Sequence, residues 1–306
     1  MNIATREAYG EALKELAINE KIVVLDADLA KATKSIEFKK AAPERFFDMG
    51  IAEGDMIGTA AGLATCGKIP FATTFAMFAA GRAFEQIRNS AAYPKLNVKV
   101  AVTHAGVTVG EDGGSHQAIE DISLMRSIPN MVVLNPSDAI EAKKAVYAAA
   151  EYYGPVYIRL GRAPVPVIHE ENYEFKIGKG EVLREGKDVL IVATGIMVAK
   201  ALEAAETLSK ENIEATVVNM STIKPLDAEL IVSLAKDIKK VITAEEHSII
   251  GGLGSAVAEV LSEECPVKLK RIGLKDVFGQ SGTPEALLKH YGLTSEDIVK
   301  AAKDIK

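Results

Sequence analysis

The chain has 306 residues, of which 48% are hydrophobic and 25% are charged, and this composition excludes disordered, collagen-like and low-complexity proteins. Its 36 basic residues are scattered among 42 acidic ones for a net charge of −6, which argues against nucleic acid or an anionic membrane as the main partner. The first residues carry charges where a signal peptide needs an apolar core, and the longest uncharged run, residues 69–81, is too short to span a membrane. We therefore expect a cytoplasmic protein.

The first half of the chain alternates short apolar runs rich in valine and isoleucine with longer stretches of helical period. This alternation is typical of βαβ units and a parallel sheet. After an N-terminal helix capped by Thr5, strands are predicted at 22–26, 45–50, 70–74, 98–104, 131–136 and 155–161. Helices are predicted near 53–66, 77–92, 116–127 and 138–153. We predict a doubly wound α/β domain over residues 1–162.

The character of the sequence changes after residue 162. Residues 163–187 hold prolines, glycines and many charges without a sustained apolar period, so we interpret them as a linker. A second series follows, with strands predicted at 188–195, 215–220, 240–246 and 267–274. Helices are predicted near 197–210, 227–237, 252–263, 284–290 and 295–304. The overall prediction is an α/β protein of two doubly wound domains, a larger one with a mostly parallel sheet and a smaller one over residues 188–306.

The segment HAGVTVGEDGGSHQAIED, residues 104–121, is the main candidate for a functional site, because the common phosphate-binding, serine-hydrolase and zinc-protease motifs are absent. His104 ends a predicted buried strand and His116 opens the next predicted helix. Ligands bind at the carboxyl ends of strands in open α/β sheets, so we expect both imidazoles to face one crevice. The favoured interpretation is a site for a polar, hydroxyl-bearing substrate. A polar loop with two satisfied histidines and a metal site made of His104, Asp112 and His116 are the alternatives.

Two further groups of residues suggest chemistry. Glu53, in FFDMGIAEGDM, follows a predicted strand end in apolar surroundings, where a carboxyl group can hold a proton near neutral pH. The alternative is an ordinary acidic residue at a helix N-terminus. Phe75 and Phe78 lie three residues apart at a strand-to-helix transition, and they either stack on a flat heteroaromatic ring or pack in the core.

Together these segments resemble the thiamine diphosphate-dependent transketolases. The family's motifs stand here as GIAEGDM, PFATTFAMF and HAGVTVGEDGGSHQAIED, in the family's order and close to its spacing. The likeness continues through RSIPNMVVLNPSD, IRLGRAP, STIKPLDAELI, EEHSIIGGLGSAV and FGQSGTPEALLKHYGL. A full-length transketolase has a further N-terminal domain with a G-D-G motif, and no G-D-G occurs here. The chain therefore resembles the C-terminal half of a split transketolase, with its pyrimidine-binding and C-terminal domains.

The resemblance implies thiamine diphosphate as the cofactor and a role for four residues. Glu53 would bond to the aminopyrimidine and favour the imino form that generates the ylid. Phe75 and Phe78 would pack on the pyrimidine, and Asp28 would lie near the thiazolium ring. The diphosphate and its Mg²⁺ (or Ca²⁺) would be held by a partner chain that carries G-D-G, with two copies of each chain in the active assembly.

The resemblance also implies a two-carbon ketol transfer between sugar phosphates. The hydroxyl groups of the ketose donor would be held by His104, Asp112 and His116. The same three residues would assist the proton transfers. Arg162 would bind the sugar phosphate, a task that suits a forked, permanently charged donor. Ala32 stands where many relatives have a phosphate-binding serine, and Thr33 is the candidate to replace it.

Three other functions remain open for a chain of this kind. The beta subunit of a 2-oxo acid dehydrogenase and a deoxyxylulose phosphate synthase belong to the same superfamily. The form of the 104–121 segment and the presence of Arg162 favour a sugar substrate over a keto acid. A non-catalytic subunit is the third possibility, and the presence of Glu53, His104 and His116 argues against it.

Overall fold

A seven-stranded sheet forms the first domain of the computed structural model, which describes residues 1–305. In order across the sheet, the strands are β12 (Thr222–Lys224), β6 (Val132–Leu134), β7 (Val156–Arg159), β5 (Lys99–Thr103), β4 (Ile69–Phe75), β2 (Ile22–Asp26) and β3 (Phe46–Asp48). Neighbouring strands are parallel except for the antiparallel pair β12 and β6. The central strands are continuous apolar runs because helices cover both faces of the sheet.

Helices with apolar stripes pack on the two faces of this sheet and form its core. One face is covered by α1 (Thr5–Leu16), α3 (Ile36–Ala41) and α8 (Ala139–Glu151). The opposite face is covered by α4 (Glu53–Thr65), α5 (Ala76–Arg82) and α7 (Asp121–Ser127). The remaining helical pieces are short: α2 (Ala30–Thr33), α6 (Phe84–Gln86), a π-helical turn (Ile87–Ala92) and two 3₁₀ turns (Pro43–Arg45, Val107–Val109).

The second domain is a five-stranded sheet with its own helices. Its strands, in order across the sheet, are β14 (Lys268–Leu274), β13 (Lys240–Ser248), β10 (Val189–Ala193), β11 (Ala215–Asn219) and β9 (Glu181–Arg184). Only the edge strand β9 is antiparallel to its neighbour. Its helices are α9 (Met197–Ser209), α10 (Ala228–Ile238), α11 (Leu253–Glu264), α12 (Pro284–His290) and α13 (Ser295–Asp304). The prediction of two doubly wound α/β domains, the first with a mostly parallel sheet, is confirmed.

Three helix predictions are wrong in detail. The helix predicted at 116–127 begins at Asp121, because the backbone N–H groups of His116 and Gln117 bond to the Gly113 carbonyl in a turn. The helix predicted at 77–92 is divided into α5, α6 and the π-helical turn. Thr5 does not cap α1, because it is the first residue of the helix and no side chain caps that end; its Oγ1 instead accepts a hydrogen bond from the Gly161 N–H at 2.8 Å.

In the part of the chain that the structure describes, no helix is both long enough and apolar enough to cross a bilayer.

Residues 163–187, predicted as a linker, contain two strands. The first, β8 (Pro164–Pro166), pairs antiparallel with the N-terminal strand β1 (Asn2–Ala4). The second, β9, closes the edge of the five-stranded sheet. Pairing of β1 with β8 brings the start of α1 beside the residues that follow β7.

His169 joins this connecting segment to both domains. Its Nδ1 lies 3.0 Å from Asp138 Oδ2 at the start of α8, and its Nε2 lies 2.9 Å from Glu181 Oε2 on β9. Burial acts to lower the pKa of His169, but the bonds to Asp138 and Glu181 outweigh it and raise the pKa to about 10. The imidazole is therefore a buried cation held between two carboxylates of different elements.

This cluster predicts a particular pH dependence of stability. Because the pKa of His169 in the folded chain is above its unfolded value of about 6.5, its contribution is complete below that pH and is lost as the pH rises toward 10. We expect His169→Gln to lower the free energy of unfolding by about 1–3 kcal/mol at pH 6 and by much less at pH 10. Chemical denaturation across pH 6–10 measures this, and an equal loss at every pH would contradict the charged state of His169.

Candidate active site

Four aromatic and imidazole rings meet at the carboxyl ends of β4 and β5. Phe75 is the last residue of β4, and its ring stacks on His104 at 3.8 Å between centroids and on Phe78 at 5.7 Å. His116 presents its ring to the edges of Phe75 and Phe78, at 6.4 and 5.3 Å. The structure thus brings together four residues that the sequence singled out separately, because β4 and β5 are adjacent and parallel.

The hydrogen bonds of His104 define its protonation state. Arg6 Nη1 lies 3.2 Å from His104 Nε2, and Thr103 Oγ1 lies 2.8 Å from Nδ1. A guanidinium can only donate, so Nε2 accepts and the ring proton lies on Nδ1. Burial, helped by the nearby charges of Arg6 and Arg162, lowers the pKa of His104 to about 3. His104 is therefore a neutral, oriented imidazole at neutral pH, in a left-handed backbone conformation with φ of 58°.

Glu53 lies beside this ring cluster, at the first residue of α4. Its side chain is 3% exposed, and Arg82 Nη1 donates to Oε1 at 2.9 Å. The same guanidinium lies over the ring of Phe78, 4.2 Å from its centroid. The expected apolar surroundings of Glu53 are therefore incomplete, because a cation that the sequence analysis missed is its partner.

A cleft of about 480 Å³ opens beside Arg6, the arginine that contacts His104. Among the residues that line it are two arginines, Arg6 and Arg162. Arg162 Nη1 donates to the carbonyl of Val109 and, at 3.3 Å, to Glu111 Oε2. Pairing of β1 with β8 holds Arg6 near Arg162, and Arg6 Nε is a buried donor without a partner among the described residues. The cleft therefore offers two cations to an anionic group.

Two predicted acidic residues, Asp28 and Asp112, stand apart from these contacts. Both are exposed, and neither has a hydrogen bond or an ion pair within residues 1–305. The same residues contain no group of three or more histidine, cysteine or acidic side chains that could hold a metal ion. The alternative of a metal site made of His104, Asp112 and His116 is not favoured by these contacts, since both ring nitrogens of His104 have other partners.

Thr33 is not available to replace a phosphate-binding serine. It is buried, and its Oγ1 donates to Asp26 Oδ2 at 2.9 Å. The carboxylate of Asp26, at the end of β2, also accepts from Ser35 Oγ at 2.8 Å and from the N–H of Leu29 at 2.6 Å. These bonds fix the loop that contains Asp28 and Ala32, so the expectation for Thr33 is corrected.

The second domain covers the glycine-rich segment of the candidate site. Gln117 Nε2 donates to the carbonyl of Gln280 at 3.0 Å, across the domain boundary. A Cβ atom on Gly114 would lie 2.6 Å from the carbonyl oxygen of Gly279, so the two chain segments touch through glycine backbones. The site is therefore built by both domains, which the sequence analysis did not predict.

Comparison with known families matches nearly all of the chain. Residues 1–167 match the family model described as "Transketolase, pyrimidine binding domain". Residues 178–298 match the model described as "Transketolase, C-terminal domain". The two matches follow each other in the chain, as do the two sheets.

Individual relatives cover nearly the whole length of the chain. The "Putative transketolase C-terminal section" of Methanocaldococcus jannaschii is 56% identical over 96% of this chain and 94% of its own length. A "6-deoxy-6-sulfo-D-fructose transketolase subunit" of a Clostridium species is 47% identical over 98% of this chain and 94% of its own length. A solved structure named "Split gene transketolase, inactive beta4 tetramer" has 62% identity and a TM-score of 0.93, covering 99% of this chain and 98% of its own.

Proposed function

The chain belongs to the transketolase family, and from this membership we propose that it is the C-terminal subunit of a two-chain transketolase. The proposed reaction is the reversible transfer of a two-carbon ketol unit from a ketose phosphate to an aldose phosphate, with thiamine diphosphate as cofactor. One observation carries the proposal. His104 stacks on the aromatic rings that lie beside the buried carboxylate of Glu53, and it also contacts Arg6, one of two arginines that line the neighbouring cleft.

The residues around Glu53 fit an aminopyrimidine. A planar guanidinium already stacks on Phe78 and donates to Glu53, and an aminopyrimidine is likewise planar and rich in nitrogen. Phe75 and Phe78 would provide the stacking surface, and Glu53 would hold or release a proton at a ring nitrogen. When bound, thiamine diphosphate supplies the carbon nucleophile of the reaction. Asp28 is proposed to lie near the thiazolium ring of the cofactor, and only the family resemblance supports this placement.

The two histidines suit different tasks toward the sugar. His104 is neutral and fixed by Thr103 and Arg6, so we assign it to orienting a hydroxyl group. His116 is half-buried, and of its two ring nitrogens only Nδ1 has a hydrogen bond among the described residues, to Ser115 at 3.0 Å. Its free Nε2 is therefore the better candidate for moving a proton. Asp112, exposed beside this segment, is proposed to bind a hydroxyl group.

Arg162 and Arg6 would bind the anionic end of the sugar. Paired guanidinium groups recognise a phosphate through several charge-assisted hydrogen bonds. One relative is named for a sulfonated sugar, and a sulfonate offers the same tetrahedral oxygens to this pair. The beta subunit of a 2-oxo acid dehydrogenase and a deoxyxylulose phosphate synthase are not favoured, because the relatives that cover the chain are named as transketolases.

A substitution of Arg162 tests the proposed substrate class. In the complex with a diphosphate-binding partner, Arg162→Ala is expected to raise the KM for ketose phosphates by about 10- to 100-fold, because a charge-assisted contact of roughly 1.5–3 kcal/mol is lost. Donors without phosphate, such as hydroxypyruvate, should change much less. Steady-state kinetics with both donor classes measure this difference.

Arg184→Ala is the matched control, because Arg184 is also a partly exposed arginine paired with a glutamate, but it lies in the second domain on β9. It should leave the KM of both donor classes unaltered. An equal loss for phosphorylated and unphosphorylated donors in Arg162→Ala would show that Arg162 only supports the loop. Absence of ketol transfer by the unsubstituted complex would refute the proposed function.

A further inference from the structure

Glu246, a buried acidic residue of the second domain, makes a direct contact with the candidate site. It lies on β13, is 4% exposed, and accepts a hydrogen bond from the backbone N–H of Thr108 at 2.6 Å through Oε1. The two residues are 138 positions apart in the chain and belong to different domains. The bond is therefore a tertiary contact that joins the second domain to the turn Val107–Val109.

The backbone of the first domain is shaped around this carboxylate. Gly106 has a φ of +78°, and a Cβ atom at this position would overlap the carboxyl group of Glu246. The N–H of Gly106 bonds instead to the carbonyl of Ala118 at 2.8 Å. A glycine is required here for both its conformation and the close approach of the glutamate.

The turn that Glu246 holds also forms part of the arginine cleft. Thr108 lines that cleft together with the two arginines, and the carbonyl of Val109 accepts from Arg162 Nη1. Gln117 Nε2 bonds to the carbonyls at both ends of the turn, Val107 at 3.1 Å and Gly110 at 3.3 Å. Gln117 thus fixes the turn by donating to main-chain carbonyls of the turn, and Glu246 fixes it by accepting from the main-chain N–H of Thr108.

The electrostatic surroundings of Glu246 are also built from both domains. The guanidinium of Arg159, buried at the end of β7, donates to the main-chain carbonyl of Glu246 at 3.0 Å and to Asp121 Oδ2 at 2.8 Å. Burial raises the pKa of the Glu246 carboxyl, while Arg159 and the Thr108 bonds oppose that rise. In either protonation state Oε1 can accept from the Thr108 N–H, so the contact depends on geometry rather than on charge.

We propose that Glu246 is a positioning residue of the active site, through which the second domain sets the place of the Val107–Val109 turn and of Arg162 toward the substrate's anionic group. This inference rests on the proposed function for the identity of the substrate. The claim that Glu246 fixes the position of the turn does not depend on the proposed function, because it rests only on the contacts described above.

The neighbouring residue Glu245 is a matched control. It is equally buried on the same strand, and its carboxylate accepts backbone N–H groups of Leu253 at 2.7 Å and Gly254 at 2.8 Å. Both partners lie at the start of α11 in its own domain. Shortening Glu245 by one methylene group therefore removes the same kind of bond without touching the site.

The test compares Glu246→Asp, Glu246→Gln and Glu245→Asp in the full chain. Amide hydrogen exchange of the peptide around Thr108, followed by mass spectrometry, is expected to be at least 10-fold faster in Glu246→Asp than in the unsubstituted chain. Glu246→Gln keeps the length and the accepting oxygen, so it should restore slow exchange. Glu245→Asp should speed exchange at the start of α11 and not at Thr108.

Kinetics of the same variants with the partner chain complete the test. Glu246→Asp should raise the KM for a ketose phosphate about 10-fold, with a change in kcat of less than 2-fold and little effect on hydroxypyruvate. Unaltered exchange at Thr108 would overturn the proposal, and so would faster exchange with an unaltered KM. If the unsubstituted complex transfers no ketol unit, the proposed function fails, while the exchange data still decide whether Glu246 holds the turn.

Discussion

Replacement of Glu53 by glutamine is expected to lower ketol transfer at least about 100-fold, on the scale of a lost general acid–base contribution. Glutamine keeps the volume and one accepting oxygen of the side chain. It cannot exchange a proton with the aminopyrimidine, so the cofactor would bind without being activated. Steady-state rates of the two-chain complex at saturating thiamine diphosphate measure the effect.

The control for this experiment is Arg82→Gln. Glu53→Gln also breaks the ion pair with Arg82, and Arg82→Gln breaks the same pair while it keeps the carboxylate. The guanidinium is half exposed, so we expect Arg82→Gln to cost far less activity than Glu53→Gln. Equal losses in the two variants would mean that Glu53 matters only as the partner of Arg82, and the activating role would be wrong.

The isolated chain is expected to be inactive and to gain activity only with a second polypeptide. The diphosphate of the cofactor needs a divalent metal held by oxygen ligands, and residues 1–305 contain no cluster that could provide them. The relative solved as a tetramer of one chain type is itself named inactive. We propose a partner that carries the G-D-G motif and has about 200–300 residues, with two copies of each chain in the active assembly.

Calorimetric titration and an activity assay check this expectation together. The chain alone should bind little thiamine diphosphate in the presence of Mg²⁺. Addition of the partner should restore tight binding and ketol transfer at the same stoichiometry. A partner variant without its G-D-G aspartate is the control, and it should restore neither. Full activity from the purified chain alone would overturn the two-chain proposal.

The fold and the convergence of His104 and His116 on one crevice could be predicted because local patterns determine them, whereas their contacts with Phe75 and Phe78 were not predicted. Period and composition located the strands, and adjacent parallel strands place their carboxyl ends together. His104 and Phe75 follow this rule, since each stands at the end of its strand. His116 reaches the same cluster from a turn rather than from the predicted helix, so its place was predicted for a reason that is only partly correct.

The residues that sequence reasoning missed act over long separations. Arg6 contacts His104 across 98 positions, and an arginine in the first turn of an amphipathic helix has no feature that distinguishes it from a solvent-exposed one. Arg82 reaches Glu53 across 29 positions, from the last turn of α5. In the sequence, Glu246 appears only as one acidic residue of the segment EEHSIIGGLGSAV, which carries part of the family resemblance. Each of these contacts depends on how helices and strands pack in three dimensions. The local spacing of residues in a single sequence does not indicate that packing.

Strand β12 has a consequence for how this polypeptide can be divided. It lies between β11 and α10 in the chain, yet it forms the outer strand of the first domain's sheet, next to β6. A recombination point at the apparent domain boundary would separate β6 from this neighbour and leave its backbone groups open to other chains. We therefore expect a chimera that exchanges only one of the two domains between relatives to be less stable than a chimera that exchanges both.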